Sequence, residues 1–338
     1  MTSTPATGRM IDLHDNTNLW GPPPAAVEAL RGLDPRRLAA YPGADGGVLL
    51  PALAEFLGVS EAELALGCGS DDLIDAAFRL AEPGSALAYP EPTFSMVPVF
   101  GRANRLRLSP TPFEADGSLD AGALPAGASD ASGIIYLCSP NNPTGTSLPE
   151  ATLRTVVEHA PGLVVLDAAY AEFTGEPEWA GWAGRHDRLL VLRTFSKAWG
   201  LAGLRIGYAI GAPPLITRLR ALRGPYGVNA VAEAAAAAAL AHDGDWMRAR
   251  SREAAANRDR LLGALRARGL APLPSAANFV LLPVGDARGL ASRMLARGVA
   301  VRAFPALPGI GDAVRISVGP WPLLEEALAA LEEALACG

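Results

Sequence analysis

The sequence is poor in the residues that most often bind metal ions or form disulfides. Its 338 residues include only three cysteines and four histidines, and neither set is clustered. The cysteines, Cys68, Cys138 and Cys337, are odd in number and far apart. They fit a reducing compartment and lack the spacing of a metal site. We therefore expect a cytoplasmic protein with no metal centre.

Charge is also scarce, and long apolar segments are absent. Charged residues make up 19% and hydrophobic residues 50% of the chain, a balance typical of a globular protein. The net charge of -6 and the pI near 5.4 disfavour nucleic acid or an anionic membrane as a partner. No run of about 18 apolar residues predicts a transmembrane helix. Residues 1–9 are polar and lack the apolar core of a signal peptide.

Apolar runs that resemble strands alternate with helical patterns along most of the chain. Strands are predicted at 86–89, 105–108, 133–138 and 163–166, and on both sides of residues 194–208. This alternation predicts an α/β fold in which a mixed, mostly parallel sheet lies between helices. We expect an N-terminal arm over 1–30, a large domain over 31–240 and a small C-terminal α/β domain over 241–338.

One lysine lies among small and apolar residues between two predicted strands. Lys197 has few charged neighbours, so burial would lower the pKa of its amine and favour Schiff-base formation. Thr194, Ser196 and Arg205 would add two hydroxyls and a fixed positive charge, which suit a phosphate. A Schiff-base lysine beside a phosphate site predicts pyridoxal phosphate as the cofactor. The alternative is an ordinary surface lysine in a connecting segment.

A glycine-rich turn offers a second part of a phosphate site. Gly69, Ser70 and Asp71 precede an apolar helix, and free N–H groups at the start of a helix attract anions. The turn lacks the third glycine of a dinucleotide-binding motif. Taken alone, it is more simply explained as an ordinary helix cap.

Four further residues follow predicted strands, where ligands bind in parallel sheets. Asp167 would pair with the ring nitrogen of the cofactor, Asn142 and Tyr170 would bond its ring oxygen, and Phe94 would cover one ring face. Each also has a structural interpretation, as a helix cap, a turn or a core residue. Their joint occurrence in this order favours a cofactor site.

Three motifs carry a resemblance to a known family. The first is Ser139-Pro140-Asn141-Asn142-Pro143-Thr144-Gly145, and the second is Asp167 with Tyr170. The third is Ser196-Lys197 together with the segment from Gly200 to Tyr208. With them the chain resembles the fold-type I pyridoxal-phosphate aminotransferases, and most closely the histidinol-phosphate aminotransferases. The resemblance covers residues 16–319. It implies that Lys197 forms the Schiff base and transfers protons, and that Asp167, Tyr170, Asn142 and Phe94 hold the cofactor ring.

The resemblance also implies residues outside the cofactor site. Arg315 and Arg302 match arginines that bind the anionic groups of substrates, and Asn18 and Trp20 lie in an arm that lines the substrate pocket in that family. Tyr41 would reach the cofactor of a neighbouring subunit, which implies a homodimer with shared active sites. The arm departs from the family pattern Asn-x-Asn-Pro, because Leu19 replaces the proline.

The resemblance implies an aminotransferase that uses small-molecule substrates. The expected amino donor is histidinol phosphate or a related amino acid or amine, and the expected acceptor is 2-oxoglutarate. The nearest alternative is a pyridoxal-phosphate decarboxylase resembling threonine-phosphate decarboxylase, with the same fold and lysine. A DNA-binding regulator built on this fold is disfavoured, because the chain has no basic domain.

Overall fold

The computed structural model describes residues 10–114, 119–128, 131–174 and 179–337. The strands are β1 (Ile11–Leu13), β2 (Leu64–Gly67), β3 (Ala86–Glu91), β4 (Arg107–Pro112), β5 (Ile134–Cys138), β6 (Leu163–Asp167), β7 (Leu189–Thr194), β8 (Gly207–Ile210), β9 (Phe279–Pro283), β10 (Val299–Leu307) and β11 (Gly311–Ser317). The α-helices are α1 (Pro24–Arg31), α2 (Leu49–Leu57), α3 (Gly69–Phe78), α4 (Met96–Ala103), α5 (Ala123–Gly127), α6 (Glu150–His159), α7 (Ala180–Ala183), α8 (Pro213–Ala221), α9 (Ala230–His242), α10 (Gly244–Ala267), α11 (Ala287–Leu295) and α12 (Trp321–Ala336).

The larger sheet has seven strands in the order β2-β8-β7-β6-β5-β3-β4. Its neighbouring strands run parallel except where β8 pairs antiparallel with β2 and β7. Every residue of β5 is buried, because helices cover both faces of the sheet. Ile135 and Leu137 pack into one apolar cluster, whereas Tyr136 and Cys138 pack into the other. The prediction of a mixed, mostly parallel α/β sheet between helices is confirmed.

A smaller sheet joins the two ends of the chain. Its strand order is β1-β10-β11-β9, and β1 pairs in parallel with β10 through Ile11↔Val299 and Leu13↔Val301. The side chains of Ile11 and Leu13 are buried there. The N-terminal strand is therefore fixed to the C-terminal part of the chain, and the division at 30 and 240 stays a prediction.

The helix and strand positions agree with the sequence patterns apart from their ends. The strand expected at 105–108 instead begins at Arg107 and continues to Pro112. The reason is the backbone of Arg105, whose left-handed φ of 59° extends the turn after α4. Within the described residues, we find no helix with the length and apolar character needed to cross a membrane.

Candidate active site

A cavity of about 220 Å³ opens where β5, β6 and β7 end. Such a position at the carboxyl ends of parallel strands is the usual ligand site of this sheet architecture. The sequence-predicted residues that line the cavity are Ser70, Asp71, Phe94, Asn142, Asp167, Tyr170, Thr194, Ser196, Lys197, Arg205, Arg302 and Arg315. Residues from distant parts of the chain are thus brought together as the sequence patterns predict.

Lys197 lies in the connection between β7 and β8 and points its amine into the cavity. Its Nζ donates a hydrogen bond to the backbone carbonyl of Asp15 at 2.9 Å and lies 5.9 Å from the ring centre of Tyr170. Burial, together with the positive charge of Arg315, lowers the pKa of the amine from 10.5 to about 8. The uncharged, nucleophilic fraction of the amine is therefore larger than in a free lysine. The position of Lys197 in the cavity favours the Schiff-base interpretation over that of an ordinary surface lysine.

Asp167 is the last residue of β6 and is only 4% exposed. Its Oδ2 accepts a hydrogen bond from the hydroxyl of Tyr136 at 2.8 Å, and its Oδ1 accepts one from the N–H of Ala169 at 3.1 Å. Burial nevertheless raises the pKa of this carboxyl from 3.8 to about 6. A cation placed beside it would restore the charged form, and a protonated ring nitrogen is such a cation.

The residues predicted to hold a phosphate lie around the start of α3. A Cβ added at Gly207 would lie 2.5 Å from the backbone N of Ser70, and one added at Gly69 would lie 2.5 Å from Nη2 of Arg205. Only glycines therefore let the backbone and the guanidinium come this close. Arg205 Nη1 lies 3.5 Å from Oγ of Ser196, which also accepts a hydrogen bond from Thr194 at 2.9 Å. Hydroxyls and an arginine thus line the cavity beside the start of a helix, a combination that suits a phosphate.

Arg315, in β11, also lines the cavity. Its Nη1 donates to Oδ1 of Asn142 at 2.6 Å, and its Nη2 donates to the carbonyl of His14 at 2.8 Å. The residue is 6% exposed, and its Nε has no hydrogen-bond partner among the described residues. Arg302 lies nearer the opening, with Nη1 3.3 Å from Nε2 of His14. Two guanidinium groups are thus available for substrate anions.

Comparison with known proteins identifies the family. A family model described as Aminotransferase class I and II matches residues 8–331. The chain belongs to the class I and II aminotransferases.

Similar proteins of this family include histidinol-phosphate aminotransferases and aromatic amino acid aminotransferases. Histidinol-phosphate aminotransferase 1 of Thiobacillus denitrificans is 38% identical over 326 residues, which cover 93% of this chain and 82% of that protein. The aromatic amino acid aminotransferase of Nocardia farcinica is 36% identical over 320 residues, covering 91% and 87%. Histidinol-phosphate aminotransferase from Sinorhizobium meliloti, solved in complex with pyridoxal-5'-phosphate, matches with a TM-score of 0.90 at 29% identity and covers 97% and 91%.

Four predicted site residues of this aminotransferase are not among those that line the cavity within the described part of the chain. Gly69 lies next to Ser70, and its lack of a side chain leaves room for the guanidinium of Arg205. Asn18 donates to the carbonyl of Ala198 at 2.9 Å. Tyr41 is 83% exposed and stacks on Tyr226 with ring centres 4.8 Å apart.

Trp20 is the fourth of these residues. Its Nε1 donates to Glu253 of α10 at 2.9 Å. Trp20 was expected in an arm that lines the substrate pocket, but it is not among the residues that line this cavity in the described part of the chain. Its hydrogen bond instead holds the indole against α10.

The structure also reveals site residues that the aminotransferase sequence did not point to. Asn16 donates to the hydroxyl of Tyr170 at 3.2 Å and is 1% exposed. Asp15, whose backbone carbonyl accepts the hydrogen bond from Lys197, lies in the same short arm. Tyr136 lies two residues before Cys138, so strand alternation alone would have placed it on the same face of β5. A simpler signal was available for Lys197 as well: it is the only lysine in the chain.

Proposed function

We propose that this chain is a pyridoxal-phosphate-dependent aminotransferase. It would transfer an amino group between histidinol phosphate, or a related amino acid or amine, and 2-oxoglutarate. The observation that carries the proposal is the convergence of Lys197, Asp167 and the anion cradle around Ser70 and Arg205 on one cavity. Membership of the class I and II aminotransferases supports the same reaction.

The residues around the cavity fit the cofactor group by group. Ser70, Thr194, Ser196 and Arg205 would hold the phosphate, because they present donors and a positive charge to one point. Asp167 would pair with the ring nitrogen. Asn142 and Tyr170 would bond the ring oxygen, and Phe94 would lie against the ring. When bound, the cofactor supplies a ring that accepts electrons from the substrate carbon.

Lys197 would have two tasks in the reaction. Its amine, with a pKa lowered to about 8, would condense with the cofactor aldehyde with loss of water. After the amino substrate displaces it, the same amine would take the proton from the substrate α-carbon and return it to the carbon that was the cofactor aldehyde. The hydrogen bond from Nζ to the carbonyl of Asp15 orients the amine before cofactor binding.

Arg315 and Arg302 would bind the anionic groups of substrates of different length. Arg315 would bind a carboxylate or a phosphate, because guanidinium pairs with both through two parallel hydrogen bonds. Its position in the cavity lining suits that role. Arg302, near the opening, would bind a second anionic group on a longer substrate.

A homodimer with shared active sites is part of this proposal. Tyr41 lies on a surface where large apolar side chains are unusually exposed, and this surface includes Leu38, Val48 and Tyr226. Their exposed fractions range from 48% to 83%. A second copy that covers this surface would bring Tyr41 towards the cavity of the neighbouring subunit. We also propose that the protein is located in the cytoplasm.

Spectroscopy on the purified protein tests the proposal. Protein saturated with pyridoxal phosphate is expected to show a visible absorption band, which an amino donor bleaches and 2-oxoglutarate restores. The amino donors tested should be histidinol phosphate, phenylalanine and tyrosine. Similar proteins are named as histidinol-phosphate aminotransferases and as aromatic amino acid aminotransferases. Borohydride reduction followed by peptide mapping should place the cofactor on Lys197, the only lysine in the chain. Lys197→Ala is the control.

The outcomes separate the reaction classes. Absence of the band at saturating cofactor, or a label confined to the N-terminal amine, would reject the cofactor site. Release of carbon dioxide without any need for 2-oxoglutarate would favour the decarboxylase alternative. Bleaching by an aromatic amino acid alone would retain the aminotransferase and replace the amino donor.

A further inference from the structure

Tyr136 has a buried hydroxyl that packing alone does not require. The residue is 0% exposed, and its ring packs edge-on against Phe78 with centres 6.3 Å apart. Phenylalanine would fill the same space without burying a polar group, which costs free energy unless it is hydrogen-bonded. The hydroxyl donates to Oδ2 of Asp167 at 2.8 Å. Its bond therefore ends on the carboxylate that faces the cavity.

The sheet register makes this contact possible. β5 and β6 pair in parallel with Cys138 opposite Asp167. Tyr136 lies two residues before Cys138, so both side chains point to the face that carries Asp167. Among the described residues, the charged and titratable groups that face Asp167 are Tyr136 and Cys138 on β5, Asp71 on α3, Tyr170 after β6 and Lys197 after β7. Asp71 is the carboxyl group of this set and opposes ionisation of Asp167, whereas Tyr136 favours it.

The two oxygens of Asp167 are held from different directions. Tyr136 donates to Oδ2 and the N–H of Ala169 donates to Oδ1. Each oxygen can accept a further bond, because a carboxylate oxygen has more than one acceptor site. The carboxylate plane is thus fixed while an acceptor remains open towards the cavity.

We propose that Tyr136 is a positioning residue that keeps Asp167 ionised and aimed at the ring nitrogen of the bound cofactor. The inference rests on the proposed function, because it takes the ring nitrogen to be the partner of Asp167. Tyr136 is not among the described residues that line the cavity, so its hydroxyl acts only through Asp167.

The sign of the effect follows from the hydrogen bond. A donor to a carboxylate favours its charged form, so loss of the hydroxyl makes Asp167 a stronger base. The proton shared with the ring nitrogen then shifts towards Asp167, and the ring withdraws fewer electrons. The nitrogen that joins Lys197 to the cofactor becomes more basic. Its titration, which changes the visible absorption band, moves to higher pH.

The test compares Tyr136→Phe with wild-type holoenzyme in two measurements, neither of which is activity. The pH midpoint of the absorption change is expected to rise by at least roughly 0.5 unit, because a hydrogen bond to a charged group is lost. The dissociation constant for pyridoxal phosphate is expected to rise by about tenfold. Tyr89→Phe is the matched control: Tyr89 is a buried tyrosine of β3 in the same apolar cluster, and its hydroxyl faces Glu91 and Arg102.

A second variant keeps the inference testable if Tyr136→Phe does not fold. Site-specific replacement of Tyr136 by 3-fluorotyrosine keeps the hydroxyl and makes it a stronger donor, so the midpoint should move to lower pH. Midpoints and affinities equal to wild type in the folded variants, with a normal wild-type band, would overturn the role of Tyr136 alone. A wild-type protein without the band would instead overturn the proposed function.

Discussion

The lowered pKa of Lys197 is a property that one experiment can measure directly. Lys197 is the only lysine, so protein labelled with ¹³C at the lysine Cε has a single labelled side chain. Burial and the charge of Arg315 are the leading causes that lower the pKa of the amine. The perturbation is Arg315→Gln, which removes the charge and keeps a polar side chain opposite Asn142.

The size of the effect is large enough to matter for catalysis. At pH 7.5 an amine with a pKa of about 8 is roughly one quarter uncharged, whereas an amine at 10.5 is about 0.1% uncharged. The site therefore holds about 250-fold more nucleophilic amine than an exposed lysine would. Arg315→Gln is expected to raise the pKa of Lys197 and thus to reduce this advantage.

The assay is a titration of the ¹³C shift of Lys197 in cofactor-free protein between pH 6 and 11. Arg302→Gln is the matched control, since Arg302 also lines the cavity but is not among the groups that shift the pKa of Lys197. A wild-type midpoint near 10.5 would refute the burial argument. A midpoint that does not rise in Arg315→Gln, or that rises equally in Arg302→Gln, would refute the role given to Arg315.

Three further predictions concern the cofactor site. In cofactor-free protein the folded-state pKa of Asp167 lies above its unfolded value, so stability falls as pH rises from about 4 through about 6. Asp167→Asn should remove this dependence. It should stabilise the cofactor-free protein by up to about 3 kcal/mol at pH 8 but only about 1 kcal/mol at pH 4.5, as measured by urea denaturation. Equal gains in stability at both pH values would contradict the prediction. Gly207→Ala should weaken pyridoxal-phosphate binding by at least roughly tenfold, because its Cβ meets the backbone of Ser70, whereas Gly203→Ala has open space and should bind normally in the same fluorescence titration. Lys197→Arg should keep a positive charge yet show neither the absorption band nor turnover above about 0.1% of wild type, because guanidinium does not form the covalent bond.

The residues of the cofactor site were largely predictable because their signals are local. Lys197 is followed within one short segment by Arg205 and the glycines that let the chain pack closely there. Asp167 directly follows a short apolar run that predicts a buried strand, so the sequence already indicated its place at a strand end. Parallel strands end at one edge, and this single rule brings the separate motifs together.

Contacts between distant segments left no such signal. Trp20 reads as a candidate pocket residue, but its direction depends on Glu253, which lies 233 positions later. The bond from Arg315 to the carbonyl of His14 spans 301 positions and uses a backbone atom that every residue possesses. The role of Tyr136 depends on the register between β5 and β6. A shift of one residue in that register would place the side chains of Tyr136 and Asp167 on opposite faces of the sheet.

The sequence by itself thus determined the fold class and predicted Lys197 and the other cofactor-site residues that line the cavity, since these follow from periodicity and from short motifs. Only the tertiary structure decided how the arm contributes to the cavity and which buried hydroxyl contacts Asp167. It also decided that Lys197 and Arg315 lie close enough to lower the pKa of the lysine. These features are distances between segments far apart in the chain, and such distances are set by packing and strand register.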